Sequence, residues 1–290
     1  MESQETSFNN TAAPAIVSSP GKPSELPTAY CLLPACPAYH IEGSGPLLVY
    51  ISGLDGTGEL FFKQAPPLAQ SFRVVTFRQR DDDDFSYEDL ADDVGAIIHD
   101  AGESRAIIIA ESFGGGVALV FALRYPQMVE RLVIVNSFPR YRERLRIRLA
   151  AWGASWVPFK AIWPLRCAAS WLGLYLDGVR GADRRRFFQA VRTVSGKAYG
   201  RRLRLIAELD LDDRLSEIHA LTLLVATKKD MLVRSIREAR FMAERLPNAK
   251  VKIITKAGHA CLLGDAVRLA DLLIEWTNEK KGRKGEGARG

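Results

Sequence analysis

Short runs of apolar residues, each bounded by glycine or polar residues, recur along the 290-residue chain. Their length is that of a buried β-strand. Because they are apolar on both faces, they fit a parallel sheet that is covered by helices on both sides. The predicted strands cover 46–52, 72–77, 106–110, 132–135, 221–226 and 251–254.

Segments with helical periodicity lie between these strands. The clearest runs from Ser86 to Ala101, with apolar residues on one stripe and acidic residues on the other. Ser86 and Asp89 at its start form a capping-box pattern in which Asp replaces the usual Glu. Further helices are predicted over 114–125, 235–246 and 266–278. Alternating strands and helices predict an α/β fold with a doubly wound, mostly parallel sheet.

The middle of the chain breaks this alternation. Residues 139–219 contain no convincing strand and many arginines, so we interpret them as a helical cap inserted into a core of residues 28–138 and 220–278. Charged residues interrupt every apolar run in the cap before it reaches the ~20 residues of a membrane span. The candidate substrate-contacting residues of the cap are Trp152, Trp156 and Trp163. In the alternative interpretation, these tryptophans only pack the cap and its arginines only face water.

Charge is distributed unevenly. The chain has a net charge of +6, yet residues 140–204 alone hold sixteen Lys/Arg and three Asp/Glu. Such a split favours contact with an anionic surface, so we expect peripheral contact between the basic cap and anionic membranes. Nucleic acid is not expected as a partner, because the basic region carries no recognised binding motif.

The termini and the cysteines bear on the compartment. Residues 1–27 lack both a basic–apolar signal pattern and arginine, so they predict a disordered leader and not a targeting peptide. The Lys/Arg/Gly stretch 279–290 is also expected to be disordered. The four cysteines follow no metal-ligand or disulfide spacing, which favours reduced thiols that act as small hydrophobes in a cytoplasmic protein.

The candidate nucleophile is Ser112. It lies in Ala110-Glu-Ser-Phe-Gly114, directly between a predicted strand and a predicted helix. That context is typical of the strand–nucleophile–helix elbow G-x-S-x-G, here with Ala in the first position. Small flanking residues are needed because the sharp turn would bring larger side chains into collision. The alternatives are a glycine-rich turn with an incidental serine and a phosphate-binding loop, whose Lys is missing.

A base and an acid for Ser112 follow by elimination. Of four histidines, only His259 comes just after a late strand, at the carboxyl edge where open α/β sheets bind ligands. Asp230 follows the predicted strand 221–226, which gives the chain order Ser, Asp, His. Asp212 and Asp213 precede that strand, and the strand before the cap ends in Asn136. We therefore predict Ser112, His259 and Asp230 as the catalytic residues, with a surface-loop role as the alternative for Asp230.

The loop after the first strong strand reads Ser52-Gly-Leu-Asp-Gly-Thr-Gly58. Its glycines let the backbone approach a substrate oxygen. We predict that the backbone N–H groups of Leu54 and Phe113 form an oxyanion hole, with a plain turn as the alternative. Asp55 either positions this loop or contacts substrate.

On these residues, the chain resembles the α/β-hydrolase-fold serine hydrolases over about 46–138 and 220–278. The resemblance implies lipase, esterase, thioesterase or acyltransferase activity without a metal or organic cofactor. Gly53-Leu-Asp-Gly-Thr-Gly58 and Gly258-His-Ala-Cys-Leu-Leu263 are also similar to motifs of plant phytyl ester synthases. The chain departs from those proteins in lacking their separate acyltransferase domain. It also has Ser52 where many hydrolases carry His.

Together these features predict a serine esterase or lipase-like enzyme that acts on an acyl or lipid ester. Acyl transfer to an alcohol and thioester cleavage share the first chemical step and remain open. A receptor that binds a ligand on the same fold is the non-enzymatic alternative.

Overall fold

The computed structural model describes residues 36–143, 145, 147–149, 179 and 181–276. The strands are β1 Tyr39–Glu42, β2 Leu47–Ile51, β3 Arg73–Phe77, β4 Ala106–Glu111, β5 Val129–Val135, β6 Leu221–Thr227 and β7 Ala249–Ile254. They form one sheet in the order β1-β3-β2-β4-β5-β6-β7. β1 runs antiparallel to β3, whereas every other neighbouring pair is parallel. The carboxyl ends of β2 to β7 therefore meet at one edge of the sheet.

Helices cover both faces of this sheet. They are α1 Ala65–Leu68, α2 Tyr87–Asp100, α3 Phe113–Arg124, α4 Gly181–Arg192, α5 Gly196–Glu208, α6 Ser235–Ala243 and α7 at 269–276. Alternate residues of the central strands enter two separate apolar clusters, as the two-residue period of a strand requires. One cluster includes Ile108 and contacts α2, α3 and α5; the other includes Ile109 and contacts α1 and α7.

The predicted fold class and the main elements are confirmed. All six predicted strands are present, and Ser86 caps α2 with both hydrogen bonds of the capping box. Among these strands and α-helices, two were not predicted, the four-residue helix α1 and the edge strand β1. His40 was predicted to lie before the first strand of the sheet, and this was wrong, since His40 lies in β1 opposite Thr76. A short, half-exposed edge strand has no apolar run to reveal it.

The described part of the cap is helical, in α4 and α5, and no strand occurs among those described residues. The leader 1–27 and the tail 279–290 lie outside the described residues, as do Trp152, Trp156 and Trp163. None of the described helices has the length and apolar character needed to cross a membrane.

Candidate active site

Ser112 lies between the end of β4 and the first residue of α3, in a strained backbone conformation. Its φ of 54° and ψ of −119° are unusual for a residue with a side chain. Such strain costs about 1–3 kcal/mol and persists only where the surroundings enforce it. Here the Ser112 N–H donates to the Val135 carbonyl (2.9 Å), and the Ser112 carbonyl accepts from Ser137 Oγ (2.6 Å). The end of β5 and Ser137 just after it thus hold the turn.

The glycines after Ser112 let α3 pack tightly on the sheet. A Cβ at Gly114 would lie 2.5 Å from the carbonyl oxygens of Ile51 and Ser52, and one at Gly115 would collide with Ser137 Oγ. Cβ atoms do not approach backbone oxygens so closely. The small residues of the elbow are therefore required by the packing of α3 against β2 and β5.

Ser112, His259 and Asp230 are brought together across three loops at the carboxyl edge of the sheet. Ser112 Oγ lies 2.9 Å from His259 Nε2, and His259 Nδ1 lies 2.9 Å from Asp230 Oδ2. The other oxygen of Asp230, Oδ1, accepts from the backbone N–H groups of Leu232 and Val233 (2.9 and 3.1 Å). Because an ionised carboxylate only accepts hydrogen bonds, Nδ1 carries the proton and Nε2 is left to accept from Ser112.

The electrostatics of this pair favour an ionised Asp230. Burial by itself would raise the pKa of Asp230, but His259 and the two backbone N–H groups outweigh it and lower the pKa below its ordinary value. For His259, burial would lower the pKa, but Asp230 and then Glu111 raise it above 6.5. These charges therefore stabilise the imidazolium that His259 would form if it accepted the proton of Ser112.

Asn136 fixes the loop that carries His259. Its side-chain amide donates to the His259 carbonyl (2.8 Å), and its oxygen accepts from the Thr227 N–H (3.0 Å) and hydroxyl (3.1 Å). Asn136 also has a positive φ of 47°. Asn136, which stands at the end of β5 where a catalytic acid could have been, thus joins the ends of β5 and β6 to the loop that carries His259. The sequence indicated only that an acid was absent there.

The predicted oxyanion loop lies directly against Ser112. A Cβ at Gly53 would be 3.5 Å from Ser112 Cβ. Within the described residues, the N–H groups of Leu54 and Phe113 donate to no protein acceptor. Asp55 positions the loop, since its Oδ1 accepts from the N–H of Thr57 (2.9 Å).

Two buried residues that the sequence did not reveal, Gln79 and Arg202, contact the loop of residues 52–58. Gln79, just past β3, donates to the Ser52 carbonyl (2.8 Å) and accepts from Nε of Arg202 (3.2 Å). Arg202 comes from cap helix α5, is 1% exposed, and donates to the Arg80 carbonyl (2.8 Å). Its guanidinium packs against Gly56, where a Cβ would collide with it. No local sequence signal marks the contacts of Arg202, which join residues more than 100 positions apart.

The other candidates lie elsewhere. His40 is in β1, His99 in α2, and His219 at the amino end of β6. Asp212 pairs with Arg142 (2.6 Å). Of the cysteines that the structure describes, Cys261 is a buried free thiol. The free thiol of Cys36 is exposed, so the prediction that Cys36 acts as a small hydrophobe was wrong. In the described ranges no group of three His, Cys, Asp or Glu could hold a metal ion.

Comparison with known proteins agrees with the observed fold. A family model described as "alpha/beta hydrolase fold" matches residues 46–266, well over half of the chain. A protein of Stutzerimonas stutzeri named "Putative carbamate hydrolase RutD" is 25% identical over 84% of this chain and 96% of its own length. A protein of the same name from Rhizobium rhizogenes is 31% identical over 73% of this chain and 85% of its own.

Solved structures show the same fold. The enol-lactonase of Burkholderia xenovorans superposes with a TM-score of 0.74 at 18% identity, over 83% of this chain and 96% of its own. A thermophilic esterase of Thermogutta terrifontis has a TM-score of 0.71 at 18% identity, over 83% and 93%. At this identity the likeness concerns the fold alone.

Proposed function

Since the chain belongs to the alpha/beta hydrolase fold family, we propose that it is a serine hydrolase that cleaves carboxylic esters of acyl or lipid type. The observation that carries the proposal is the continuous pair of 2.9 Å contacts from Ser112 through His259 to Asp230. A serine hydroxyl is a weak nucleophile unless such a base removes its proton.

The first half-reaction forms an acyl-enzyme. Ser112 Oγ attacks the ester carbonyl while its proton passes to His259 Nε2, and the carbonyl oxygen becomes an oxyanion. The imidazolium then gives that proton to the departing alkoxide, which leaves as the alcohol. In the second half-reaction, His259 takes a proton from water as the resulting hydroxide attacks the acyl carbonyl. The acyl–Oγ bond then breaks and the imidazolium gives its proton to Ser112 Oγ, which releases the carboxylic acid and restores the Ser112 hydroxyl.

Backbone dipoles supply the charge stabilisation. The N–H groups of Leu54 and Phe113 are the proposed donors to the oxyanion, and Phe113 begins α3, where the helix dipole adds positive potential. One such donor typically contributes about 2.7–4 kcal/mol to the transition state.

Carbamate hydrolysis is a second candidate, favoured by the name of the relatives that align over most of their length. Attack on a carbamate carbonyl uses the same nucleophile, base and oxyanion donors. Acyl transfer to an alcohol and thioester cleavage also share the first step. These reactions differ in the leaving group or in the second nucleophile.

The deciding experiment is labelling with a fluorophosphonate probe. The wild-type protein should be labelled and Ser112→Ala should not, with circular dichroism showing that the variant is folded. Absence of labelling in the wild type would refute the serine-hydrolase proposal and favour the receptor alternative. Rates with p-nitrophenyl acetate, p-nitrophenyl carbamate and an acyl thioester then rank the substrates. Product analysis with an added lipid alcohol separates transfer from hydrolysis.

A further inference from the structure

Glu111 is a carboxylic acid that the mechanism above leaves unused, although it directly precedes the nucleophile. It is the last residue of β4, so its side chain falls on the same sheet face as Ile107 and Ile109. That face belongs to the apolar cluster of β2, α1 and α7, not to the cluster beneath α3. Glu111 therefore places a carboxyl group at the edge of an otherwise apolar layer, on the side of the sheet where Cys261 of the histidine loop also packs.

Tyr50 on the adjacent strand β2 holds this carboxyl group. The Tyr50 hydroxyl donates to Glu111 Oε2 at 2.9 Å. Tyr50 is fully buried, and its ring stacks on Phe61 with 3.9 Å between centroids. Burial, followed by the charge of Glu111, raises the pKa of Tyr50 well above 10, so it stays a donor at working pH. The second oxygen of Glu111 accepts no hydrogen bond from the described residues.

The ionisable groups that face Glu111 come from several elements. They are Tyr50 from β2, Asp55 from the oxyanion loop, Asp230 from the loop after β6, and His259 and Cys261 from the last loop. Burial raises the pKa of Glu111 to about 7, although His259 and Tyr50 pull it down. In turn, the Glu111 charge is one of the causes that raise the pKa of His259. Cys261 stays neutral, since burial raises the pKa of its thiol well above 9.

We propose that Glu111, held by Tyr50, is a positioning residue that stabilises the protonated form of His259 while Ser112 is acylated and deacylated. The inference rests on the proposed serine-hydrolase function. In each half-reaction His259 becomes positively charged for as long as it carries the proton from Ser112 or from water. Asp230 faces that charge through Nδ1, and the ionised Glu111 adds a second negative charge beside the nucleophile. Tyr50 favours the ionised carboxylate by donating to it.

The test is the pH profile of p-nitrophenyl acetate hydrolysis by the full-length protein. In Glu111→Gln, His259 loses a charge that raises its pKa, so the midpoint of the acid limb should move to lower pH. Because the imidazolium is less stabilised, the plateau kcat should fall about tenfold, which corresponds to one pKa unit of interaction. Glu111→Asp keeps the charge and should recover part of the plateau.

Tyr50→Phe keeps the stacked ring but removes the hydroxyl that favours ionised Glu111. Losing that hydroxyl should raise the pKa of Glu111. The fully active form, with neutral His259 and ionised Glu111, is then reached only at higher pH, so the acid limb should move to higher pH, opposite to its shift in Glu111→Gln. Glu59→Gln is the matched control, because it makes the same change of a carboxylate to an amide at an exposed position, where Glu59 pairs with Arg78 (3.1 Å). This variant should leave the pH profile unchanged. A role limited to packing would lower the melting temperature without moving the midpoints.

An unmoved acid limb in Glu111→Gln, or shifts of both variants in one direction, would overturn this inference. Such a result is distinguishable from failure of the proposed function, because fluorophosphonate would still label Ser112 in the wild type. Absence of labelling in the wild type would instead remove the premise.

Discussion

Asp230 is the residue whose charge fixes the tautomer of His259, since it is 8% exposed and binds Nδ1 at 2.9 Å. Asp230→Asn can offer an amide donor to Nδ1, which would leave the proton on Nε2, where it cannot accept from Ser112. We expect kcat to fall by about 10⁴-fold. The matched control is Asp213→Asn, an exposed carboxylate at the other end of β6, which should retain wild-type activity. A near-normal rate for Asp230→Asn would assign the acid to another residue.

The pH dependence has a defined sign at this site. His259 must be neutral to accept a proton, and its pKa is raised above 6.5. Activity should therefore be lost as pH falls through a value above 6.5, and be fully present above it. Since Asp230 is the first of the charges that raise this pKa, the residual activity of Asp230→Asn should persist to lower pH.

Single residues differed in how far the sequence could identify them. Ser112, Asp230 and His259 could be proposed because each follows a strand, and parallel strands bring such positions to one edge. Gln79 and Arg202 could not be found in this way. Their contacts depend on how α5 packs over the end of β3, which no spacing along the chain encodes.

At the scale of elements, α5 is the part of the predicted cap whose Arg202 contacts Gly56 in the predicted oxyanion loop. Arg202→Met would leave Gln79 Oε1 and the Arg80 carbonyl without their partner, at a cost of about 1–3 kcal/mol for each buried group. We expect a lower melting temperature. Because the loop loosens, kcat for ester hydrolysis should fall more than the rate at which fluorophosphonate labels Ser112.

Arg204→Met, on the same helix and partly exposed, serves as the control for losing an arginine from α5. Gly56→Ala approaches the same contact from the loop, where φ is +66° and the new Cβ would meet the guanidinium. It should resemble Arg202→Met in kcat. If Arg202→Met lowered the melting temperature but left kcat unchanged, α5 would support the cap without positioning the loop.

Elements with a strong apolar run were predictable, whereas elements defined by their neighbours were not. β4 is apolar along its whole predicted run, and α2 carries both a stripe and a capping box. β1 has the burial pattern of an edge strand, with its two middle residues exposed, so only its pairing with β3 makes it a strand. Helix α1 is a single turn that begins before two prolines, too short for a periodicity to register.

At the scale of the whole molecule, positive charge is concentrated in one part of the chain. The described part of the cap segment exposes Arg148, Arg185 and Lys197 to solvent. Leu145 and Leu149, one helical turn apart, are 72% and 59% exposed beside Arg148. Cations next to apolar side chains suit the surface of an anionic membrane, where each Lys or Arg contributes about 1 kcal/mol. This supports peripheral membrane contact as a proposal.

The triple variant Arg148→Glu, Arg185→Glu and Lys197→Glu tests that proposal. The wild-type protein should cosediment with vesicles containing phosphatidylserine more than with pure phosphatidylcholine, and added salt should weaken the difference. Losing three cations should weaken binding by about a hundredfold, from about 1 kcal/mol each. Arg105→Glu, Arg240→Glu and Lys256→Glu make the same change in net charge at exposed positions outside the cap. If that control lost as much binding as the cap variant, overall charge and not the cap would attract the protein to lipid. Equal binding to both vesicles by the wild type would reject the contact altogether.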